Sequence, residues 1–369
     1  MSSLFAPITL RGLTLENRIM VSPMCQYSAV DGCMSDWHHA HLVNLSLSGA
    51  SLLCFEMTNV EAIGRITSGC VGLYDDNTER AIRRAVELCR KHGAAKLGIQ
   101  LGHAGRKGST AMPWDARKSV PPPAGGWQPV APSALAWGEE DIVPRELSRE
   151  EIRAVIERFA ESARRAARIG FDALELHGAH GYLLHQFLSP LSNRRDDEYG
   201  GTLDNRMRFA LEVVEAVRAA WPEDRPLGIR VSATDWVDGG WDLEQTVRLC
   251  RELKRLGCDF IDCSSGGLLR NQNVPFAPGY NVPFSERIRR EVGIATISVG
   301  MITEPRQAEQ IVGSGKADIV ALARSFLWNP RWGLHAAQQL GGPIKLPLQY
   351  QRALPLARAA AGDSRSGMR

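Results

Sequence analysis

Eight short apolar segments alternate with amphipathic segments along most of this 369-residue chain. This alternation limits the possible folds most, because a parallel strand followed by a helix forms a βαβ unit with a right-handed crossover. Eight such units close into an α/β fold of one kind, the (β/α)8 barrel. The predicted strands lie at residues 17–25, 51–56, 95–101, 172–176, 226–231, 260–263, 295–299 and 319–322. The predicted helices lie at residues 37–47, 75–92, 148–169, 203–221, 243–256, 284–292, 304–312 and 332–340.

A doubly wound open sheet is the alternative to the barrel. It is disfavoured because no G-x-G-x-x-G fingerprint follows an early strand. Residues 8–15 predict a hairpin that caps one end of the barrel. Residues 108–144 contain seven prolines and three tryptophans, which predicts either a lid or binding loop or a packed structural excursion. We therefore predict a barrel domain at 1–341 and a C-terminal tail at 342–369, with disorder at 358–369.

The composition excludes several classes of protein. The 44 basic and 41 acidic residues give a net charge of +3, which is too balanced to suggest nucleic acid or a membrane surface as a partner. No apolar run approaches the roughly 20 residues of a membrane-spanning helix, and residues 1–7 do not resemble a secretion signal. The eight cysteines have no C-x-x-C spacing, so we predict no metal site and a reducing, cytoplasmic location.

Two histidines and a tyrosine directly follow the fourth predicted strand, at His177, His180 and Tyr182. The carboxyl ends of barrel strands meet at one end of the barrel, here called the mouth, where the chemistry of such folds takes place. Two imidazoles can donate hydrogen bonds to one oxygen, and a phenol can donate a proton. This set predicts a reaction in which a carbonyl group becomes an enolate.

Gly300 after the seventh predicted strand and Arg324 after the eighth predict a phosphate site, because barrels bind phosphate at these two positions. A flat ring over the mouth with its phosphate at this site would be flavin mononucleotide (FMN). Gln100 and Arg230 end two other strands, where they could pair with the pyrimidine edge of the flavin and lie beside its N1 and C2 carbonyl.

Several motifs in combination resemble the old yellow enzyme family, whose members are FMN-dependent ene-reductases. The resemblance covers about residues 4–352, and Cys25, Tyr27 and the tail segment 349–352 are similar to the bacterial thermophilic-like branch of that family. The motifs are SPMCQY at 22–27, QLGHAGRK at 100–107, HGAHGY at 177–182, FLSP at 187–190, DEYGG at 197–201 with NR at 205–206, and AR at 323–324.

This resemblance implies roles for individual residues. His177 and His180 would bind the substrate oxygen, and Tyr182 would protonate the substrate carbon. Cys25 would lie near the flavin and tune its potential. Tyr27 would line the substrate pocket. Arg352 would reach into the substrate site of a neighbouring subunit in a homodimer or homotetramer.

The resemblance also implies a set of FMN contacts. One of them, Asn59, stands where we expect alanine, and a side chain turned toward the ring would change the redox potential. Arg106 and Lys107 either act at the mouth or are solvated charges. The implied FMN contacts are Pro23, Met24, Cys25, Asn59, Gln100, His177, Arg230, Gly266, Gly300, Met301, Ala323 and Arg324.

The implied reaction has two halves. NADPH or NADH reduces FMN, and flavin N5 then delivers hydride to the activated C=C bond of an α,β-unsaturated carbonyl or nitro compound, with protonation by Tyr182. Two alternatives remain at this point: a sugar-phosphate aldolase or isomerase without flavin, and a non-catalytic flavin redox sensor. The sequence contains no dinucleotide fingerprint, so it does not indicate which nicotinamide cofactor or which alkene is used.

Overall fold

The computed structural model describes residues 2–115, 118–270 and 272–354. Eight parallel strands form a closed barrel in the order β3-β4-β5-β8-β9-β10-β11-β12, and β12 pairs with β3 to close it. The predicted (β/α)8 barrel is therefore confirmed, and each predicted strand corresponds to one barrel strand. The barrel strands are β3 Ile19–Val21, β4 Leu52–Asn59, β5 Lys96–Gly102, β8 Ala173–Gly178, β9 Leu227–Ser232, β10 Phe260–Ser264, β11 Ala295–Ser298 and β12 Ile319–Leu322.

Helices surround the barrel and cover the outward side chains of its strands. Eight of them match the predicted helices to within two residues at each end. The two short helices α4 and α9 were not predicted, because five or six residues are too few to display a helical period. The helices are α1 Asp36–Ser46, α2 Asp76–His92, α3 Arg149–Ile169, α4 Leu183–Leu188, α5 Leu203–Ala220, α6 Leu243–Arg255, α7 Val282–Val292, α8 Pro305–Gly313, α9 Arg324–Trp328 and α10 Trp332–Leu340.

Helix α3 begins and ends as its sequence predicts. The backbone N–H of Glu151 donates to the hydroxyl of Ser148, and the Ser148 N–H donates to the Glu151 carboxylate at 2.9 Å, which completes a capping box. The helix stops at Gly170, whose φ of 97° is a left-handed conformation that glycine adopts without steric penalty.

The end of the barrel opposite the mouth is closed by the predicted hairpin. Strands β1 Ile8–Leu10 and β2 Leu13–Leu15 pair antiparallel. Their buried leucines pack in one cluster with Met20 and Phe260 from the barrel interior. At this end the barrel interior is therefore filled with apolar side chains, and its ligand-sized cavity opens at the mouth.

The proline-rich excursion packs against the barrel. It contains the short parallel pair β6 Val130–Ala131 and β7 Arg145–Glu146. The indole N–H of Trp127 donates to the carbonyl of Ile63 at 2.8 Å, which ties the excursion to the loop after β4. Of the two predictions for residues 108–144, the packed structural excursion describes this arrangement. Trp137 in the same segment reaches toward the mouth, as described below.

The C-terminal tail ends, within the described residues, in a 3-10 helix at Leu348–Ala353. The disorder predicted for residues 358–369 lies outside the described residues, and the division into a barrel at 1–341 and a tail at 342–369 stays a prediction. No helix in the described part of the chain is both long and apolar enough to cross a membrane.

Replacing each of two barrel-strand glycines by alanine should change the free energy of unfolding in different ways. A methyl group on Gly228 would overlap the ring of Phe260, whereas one on Gly98 would make ordinary contacts of 3.6–3.7 Å with Leu52, Ala173 and Cys54. We expect Gly228→Ala to lower the free energy of unfolding by about 1–3 kcal/mol through overpacking. The matched control Gly98→Ala should leave it unchanged or raise it slightly, because alanine restricts the unfolded chain. Urea unfolding measures both values, and equal effects would contradict the packing described for Gly228.

Candidate active site

A cavity of about 760 Å³ opens at the mouth between the ends of β9 to β12 and the loops that follow them. Cavities of this size hold cofactors and drug-sized ligands. Several predicted site residues come from strands distant in sequence and line it together. The lining residues used below are His180, Arg230, Ser264, Tyr280, Asn281, Gly300, Met301, Ala323 and Arg324.

The two predicted histidines form a hydrogen-bonded chain that assigns their protons. The Ala179 N–H donates to His177 Nδ1 at 3.2 Å, so this nitrogen is an acceptor and the His177 proton is on Nε2. His177 Nε2 then donates to His180 Nδ1 at 3.3 Å, which leaves the His180 proton on Nε2, 2.7 Å from the Ser264 hydroxyl oxygen. Both imidazoles can therefore present an N–H group while neutral.

The surroundings keep both imidazoles uncharged. Burial lowers the pKa of His177 and of His180 well below the usual value, and the nearby charges of Arg230 and Lys107 lower both further. A neutral imidazole N–H can stabilise negative charge on a substrate oxygen without itself exchanging a proton.

A left-handed turn directs His180 into the cavity. His180 has a φ of 56° and Gly181 a φ of 72°. The Gly181 N–H donates to His185 Nδ1 at 2.9 Å, and His185 Nε2 lies 2.9 Å from a carboxylate oxygen of Asp235. Both members of this histidine–aspartate pair are fully buried. They hold a backbone conformation that a residue with a side chain rarely adopts.

Lys107 connects this turn to the tyrosine. Its ammonium group donates to the His180 carbonyl at 2.8 Å and to the Gly267 carbonyl at 3.1 Å. It also lies 5.1 Å from the ring centre of Tyr182 and 4.3 Å from that of Trp137. Of the two alternatives predicted for Lys107, a group at the mouth or a solvated charge, these contacts agree with the first.

Its neighbour Arg106 is buried below the same loops. The Arg106 guanidinium donates to the carbonyl of Leu268 at 3.0 Å and to that of Leu135 at 3.3 Å. It therefore holds the loop after β10 and the proline-rich excursion together, and is not a solvated charge.

Cys25 lies in a small, mostly apolar cluster near Tyr182. Cys25, Tyr27 and Tyr182 pack against buried Met57 and Cys70. The Tyr182 ring meets the His177 ring edge to face at 4.8 Å between centres. Burial, followed by the influence of Cys70, raises the pKa of the Cys25 thiol well above its usual value. Cys25 is therefore present as a thiol, not as a thiolate.

A polar layer crosses the barrel interior just below the mouth. Gln100 Nε2 donates to Glu175 Oε1 at 2.7 Å. Arg230 donates from Nη1 to the Ser22 hydroxyl at 3.2 Å, and its Nε lies 3.4 Å from Asp262 Oδ2. Gln100 and Arg230 are thus held by interior partners at the two positions predicted to face the flavin.

The loop after β11 forms a cradle with little room for side chains. A Cβ on Gly300, which has a φ of 128°, would lie 2.9 Å from Asn281 Nδ2 and 2.9 Å from Tyr280 Cε1. Asn281 Oδ1 accepts from the Ser265 hydroxyl at 2.8 Å, but Asn281 Nδ2 is buried without an acceptor among the described residues. An unpaired buried donor beside a glycine and the cavity-lining Arg324 fits an anionic group, so these residues fit a phosphate.

Other predicted contacts lie elsewhere. The Asn59 side chain donates to the Val71 carbonyl at 2.8 Å, and Met57 is the β4 residue that packs near Cys25. Gly266 has a φ of 71° and lies next to Gln272, not along the cavity. The Asn59 side chain is thus turned toward the backbone of another loop, and flavin-contact roles for Asn59 and Gly266 stay predictions.

The remaining predicted residues are distributed as follows. Pro23 and Met24 follow β3 and are half-buried. Met301 and Ala323 line the cavity, and Arg352 is exposed in the tail.

Sequence reasoning missed several residues of the site. Ser264 ends β10 and bonds to His180, and its position at a strand end was the signal that could have identified it. Met57 and Asn281 had no such signal, because they reach the site only through the β4 bulge and the β10–α7 loop.

The comparison with known proteins agrees with this geometry. Residues 3–342 match the model of the NADH:flavin oxidoreductase / NADH oxidase family. The chain is 44% identical over 351 residues to NADPH dehydrogenase from Geobacillus sp. (strain WCH70), across 95% of this chain and 98% of the relative. It is 43% identical over 355 residues to NADPH dehydrogenase from Listeria innocua serovar 6a, across 96% and 99%. The solved structure of morphinone reductase superposes with a TM-score of 0.75 at 28% identity, across 93% of this chain and 91% of that one.

The chain belongs to the NADH:flavin oxidoreductase / NADH oxidase family. The resemblance to old yellow enzymes is thereby confirmed, and so is the prediction of FMN as the cofactor. As a member of this family the protein is an FMN-dependent oxidoreductase, and the alternative of a flavin-free aldolase or isomerase is wrong.

Burial of His177 predicts a loss of stability in mild acid. The folded-state pKa is lowered, so below about pH 6.5 the unfolded chain binds a proton that the folded chain does not, and folding becomes less favourable as the pH falls. Between pH 7.5 and 5.5 this group should contribute about 1.4 kcal/mol of lost stability. Urea unfolding of His177→Gln should show a correspondingly smaller difference between the two pH values. The same substitution at the exposed His92 is the control, and an equal change there would refute the assignment to His177.

Proposed function

We propose that this enzyme uses NADPH or NADH to reduce the activated C=C bond of α,β-unsaturated carbonyl compounds, and of nitroalkenes. The observation that supports this most strongly is the pair of neutral imidazoles at 177 and 180, held at the cavity beside the phenol of Tyr182. Two N–H donors and one proton donor are what an enolate-forming reduction needs.

FMN supplies the two-electron chemistry when bound, because it accepts reducing equivalents from the nicotinamide and passes them to the alkene. Gln100 and Arg230 would hold its ring, with Pro23, Met24 and Cys25 beside it. Gly300, Met301, Ala323 and Arg324 would hold its phosphate, and the unpaired Asn281 Nδ2 supports that assignment.

The substrate oxygen would accept hydrogen bonds from His177 and His180, which polarise the carbonyl and lower the energy of the enolate. The 3.3 Å contact between the two imidazoles is long for a hydrogen bond, so substrate can replace it at little expense. Tyr182 would then donate its proton to the α carbon. The Lys107 ammonium over its ring favours the phenolate that remains.

An absorption spectrum of the purified protein tests the proposal directly. We expect flavin bands that bleach with anaerobic NADPH or NADH and return after addition of 2-cyclohexenone. A protein that stays colourless after addition of FMN would refute it. Bleaching without recovery would refute the ene-reductase activity with this enone and favour the flavin redox sensor.

Single substitutions should rank the roles of the catalytic groups. His180→Ala removes a donor to the developing negative charge and should lower the rate of enone reduction by about 10²–10³. Tyr182→Phe should lower it less if water can supply the proton. Stopped-flow reoxidation of the reduced enzyme by enone measures this step apart from reduction by NADPH, and FMN content checks that each variant is loaded. Equal losses for the two variants would contradict the ranking.

We further propose that the enzyme is a homodimer or homotetramer in which Arg352 reaches the substrate pocket of a neighbouring subunit. Leu348 and Tyr350 on the same 3-10 helix are exposed and apolar, as expected for a segment that packs on another protein surface. The cytoplasm is the proposed location, since all eight cysteines are free thiols.

Arg352→Ala should raise KM for the enone while leaving reduction of the flavin by NADPH unchanged, because only the substrate pocket loses a group. Mixing this variant with Tyr182→Phe subunits tests the crossing. If Arg352 reaches a neighbour, some mixed assemblies regain a complete site and the enone KM of that fraction returns to the wild-type value. A monomer in light scattering, or no recovery on mixing, would contradict the proposal.

A further inference from the structure

Two buried carboxyl groups lie in one interior layer of the barrel, directly below the residues proposed to hold the flavin. Glu175 on β8 is 2% exposed and Asp262 on β10 is 0% exposed. Strand β9 runs between them and contributes Arg230, which pairs in register with Asp262. Glu175 and Asp262 thus lie on alternate strands, which in such a barrel contribute to one layer of interior side chains, and each carboxyl group affects the pKa of the other.

The partners of these carboxyl groups do not account for two full negative charges. Glu175 Oε1 accepts from Gln100, but Glu175 Oε2 and both oxygens of Asp262 have no hydrogen-bond donor among the described residues. Arg230 Nε lies 3.4 Å from Asp262 Oδ2 but makes no hydrogen bond there. The site thus contains two buried carboxyl groups and one buried guanidinium.

Two neighbouring carboxylates in a dry interior cannot both remain ionised here, because the single guanidinium of Arg230 can balance only one negative charge. One proton between them satisfies an oxygen of each and reduces the net charge of the cluster with Arg230 to zero. Burial, and next the charge of Asp262, raise the pKa of Glu175 to about 8, and burial raises the pKa of Asp262. The pair therefore releases this proton only in the alkaline range.

Other titratable groups lie close to the pair. Cys54 on β4 and Cys263 on β10 are buried thiols whose pKa is raised by burial, so they carry no charge at neutral pH. His177 lies two residues beyond Glu175 on β8, nearer the mouth, and is neutral for the reason given above. Arg230 is the cation of this layer, and it is also the residue proposed to contact the flavin.

We propose that Glu175 and Asp262 share one proton and form a proton reservoir that is coupled through Arg230 to the redox state of the bound FMN. The inference rests on the proposed placement of the flavin against Gln100 and Arg230. Reduction by NADPH or NADH adds two electrons and one proton to the cofactor, hence one negative charge next to Arg230, while the nicotinamide is oxidised. That charge opposes loss of the shared proton and raises the pKa of the pair.

The balance of protons then depends on pH. At neutral pH the pair already holds its proton, and one proton enters the enzyme for every two electrons. Above the pKa of the pair in the oxidised enzyme, the pair has lost its proton and regains it on reduction, so two protons enter for every two electrons. Glu175 and Asp262 act through Arg230 and are positioning residues, not catalytic ones.

The midpoint potential of the holoenzyme, measured by anaerobic dye titration between pH 6 and 9, tests this coupling. The potential should fall by about 30 mV per pH unit near neutrality and by about 60 mV per unit above about pH 8, since each proton taken up with two electrons changes the potential by 29.6 mV per unit. In Glu175→Gln the steeper part should disappear, because the remaining Asp262 is balanced by Arg230 throughout. Asp262→Asn provides a second variant if the first does not fold.

A matched control replaces a buried carboxylate that has its own cation and its own hydrogen-bond donor. Glu61 is 7% exposed, pairs with Arg158 and accepts a hydrogen bond at 2.9 Å from His103, whose imidazole is neutral because burial lowers its pKa to about 3. Glu61→Gln should leave both slopes as in the wild type. A single slope of about 30 mV per unit in the wild type, or the same steepening in Glu175→Gln, would overturn the inference.

Infrared spectroscopy separates this inference from the proposed function. The oxidised wild-type protein should show the C=O stretch of a protonated carboxyl group at pH 7 that is lost as the pH passes about 8 and is absent in Glu175→Gln. Absence of the band at pH 7 would refute the shared proton. If the band is present but the protein binds no FMN, the proton pair stands and the proposed function fails.

Discussion

A buried guanidinium is the interaction on which the site depends. Arg230 crosses the barrel just below the mouth, bonds to the Ser22 hydroxyl and lies beside Asp262. A positive charge in a dry interior requires nearby negative charge, which Asp262 provides. Burial lowers the pKa of His177 and His180, and the same charge lowers it further, so that both imidazoles remain neutral donors. One side chain thus links the interior carboxyl groups, the proposed flavin seat and the substrate-binding histidines.

The second requirement is the left-handed turn at His180 and Gly181. A non-glycine residue in this conformation is held by its surroundings, here by Lys107 on the carbonyl side and by the buried His185–Asp235 pair on the amide side. The turn brings His180 to the cavity and lets α4 begin directly after Tyr182. Local backbone strain and catalytic geometry are therefore parts of one arrangement, and both depend on residues outside the HGAHGY motif.

Sequence reasoning predicted most of the fold and part of the site. The barrel strands were found because each is a short apolar run, and the long helices because each is long enough to show a period. His177, His180 and Tyr182 were found because all strand ends of a barrel share one mouth. Asn59 shows where this reasoning ends. The bulge in β4 after Phe55 changes which side chains face inward, so Met57 packs beside Cys25 and Asn59 bonds to a backbone carbonyl.

The sequence by itself determined the number and order of the βα units and the chemical types at the strand ends, because periodicity and strand polarity are local properties. It also carried the family resemblance. Only the tertiary structure decided which of those groups meet, which protons they carry and which charges are compensated. The pair of Glu175 and Asp262 is the clearest case, since the two residues are far apart in the chain and their proposed shared proton follows from burial, with Gln100 as the single hydrogen-bond donor to them among the described residues. Burial and charge balance depend on everything packed around a group, and no local pattern encodes them.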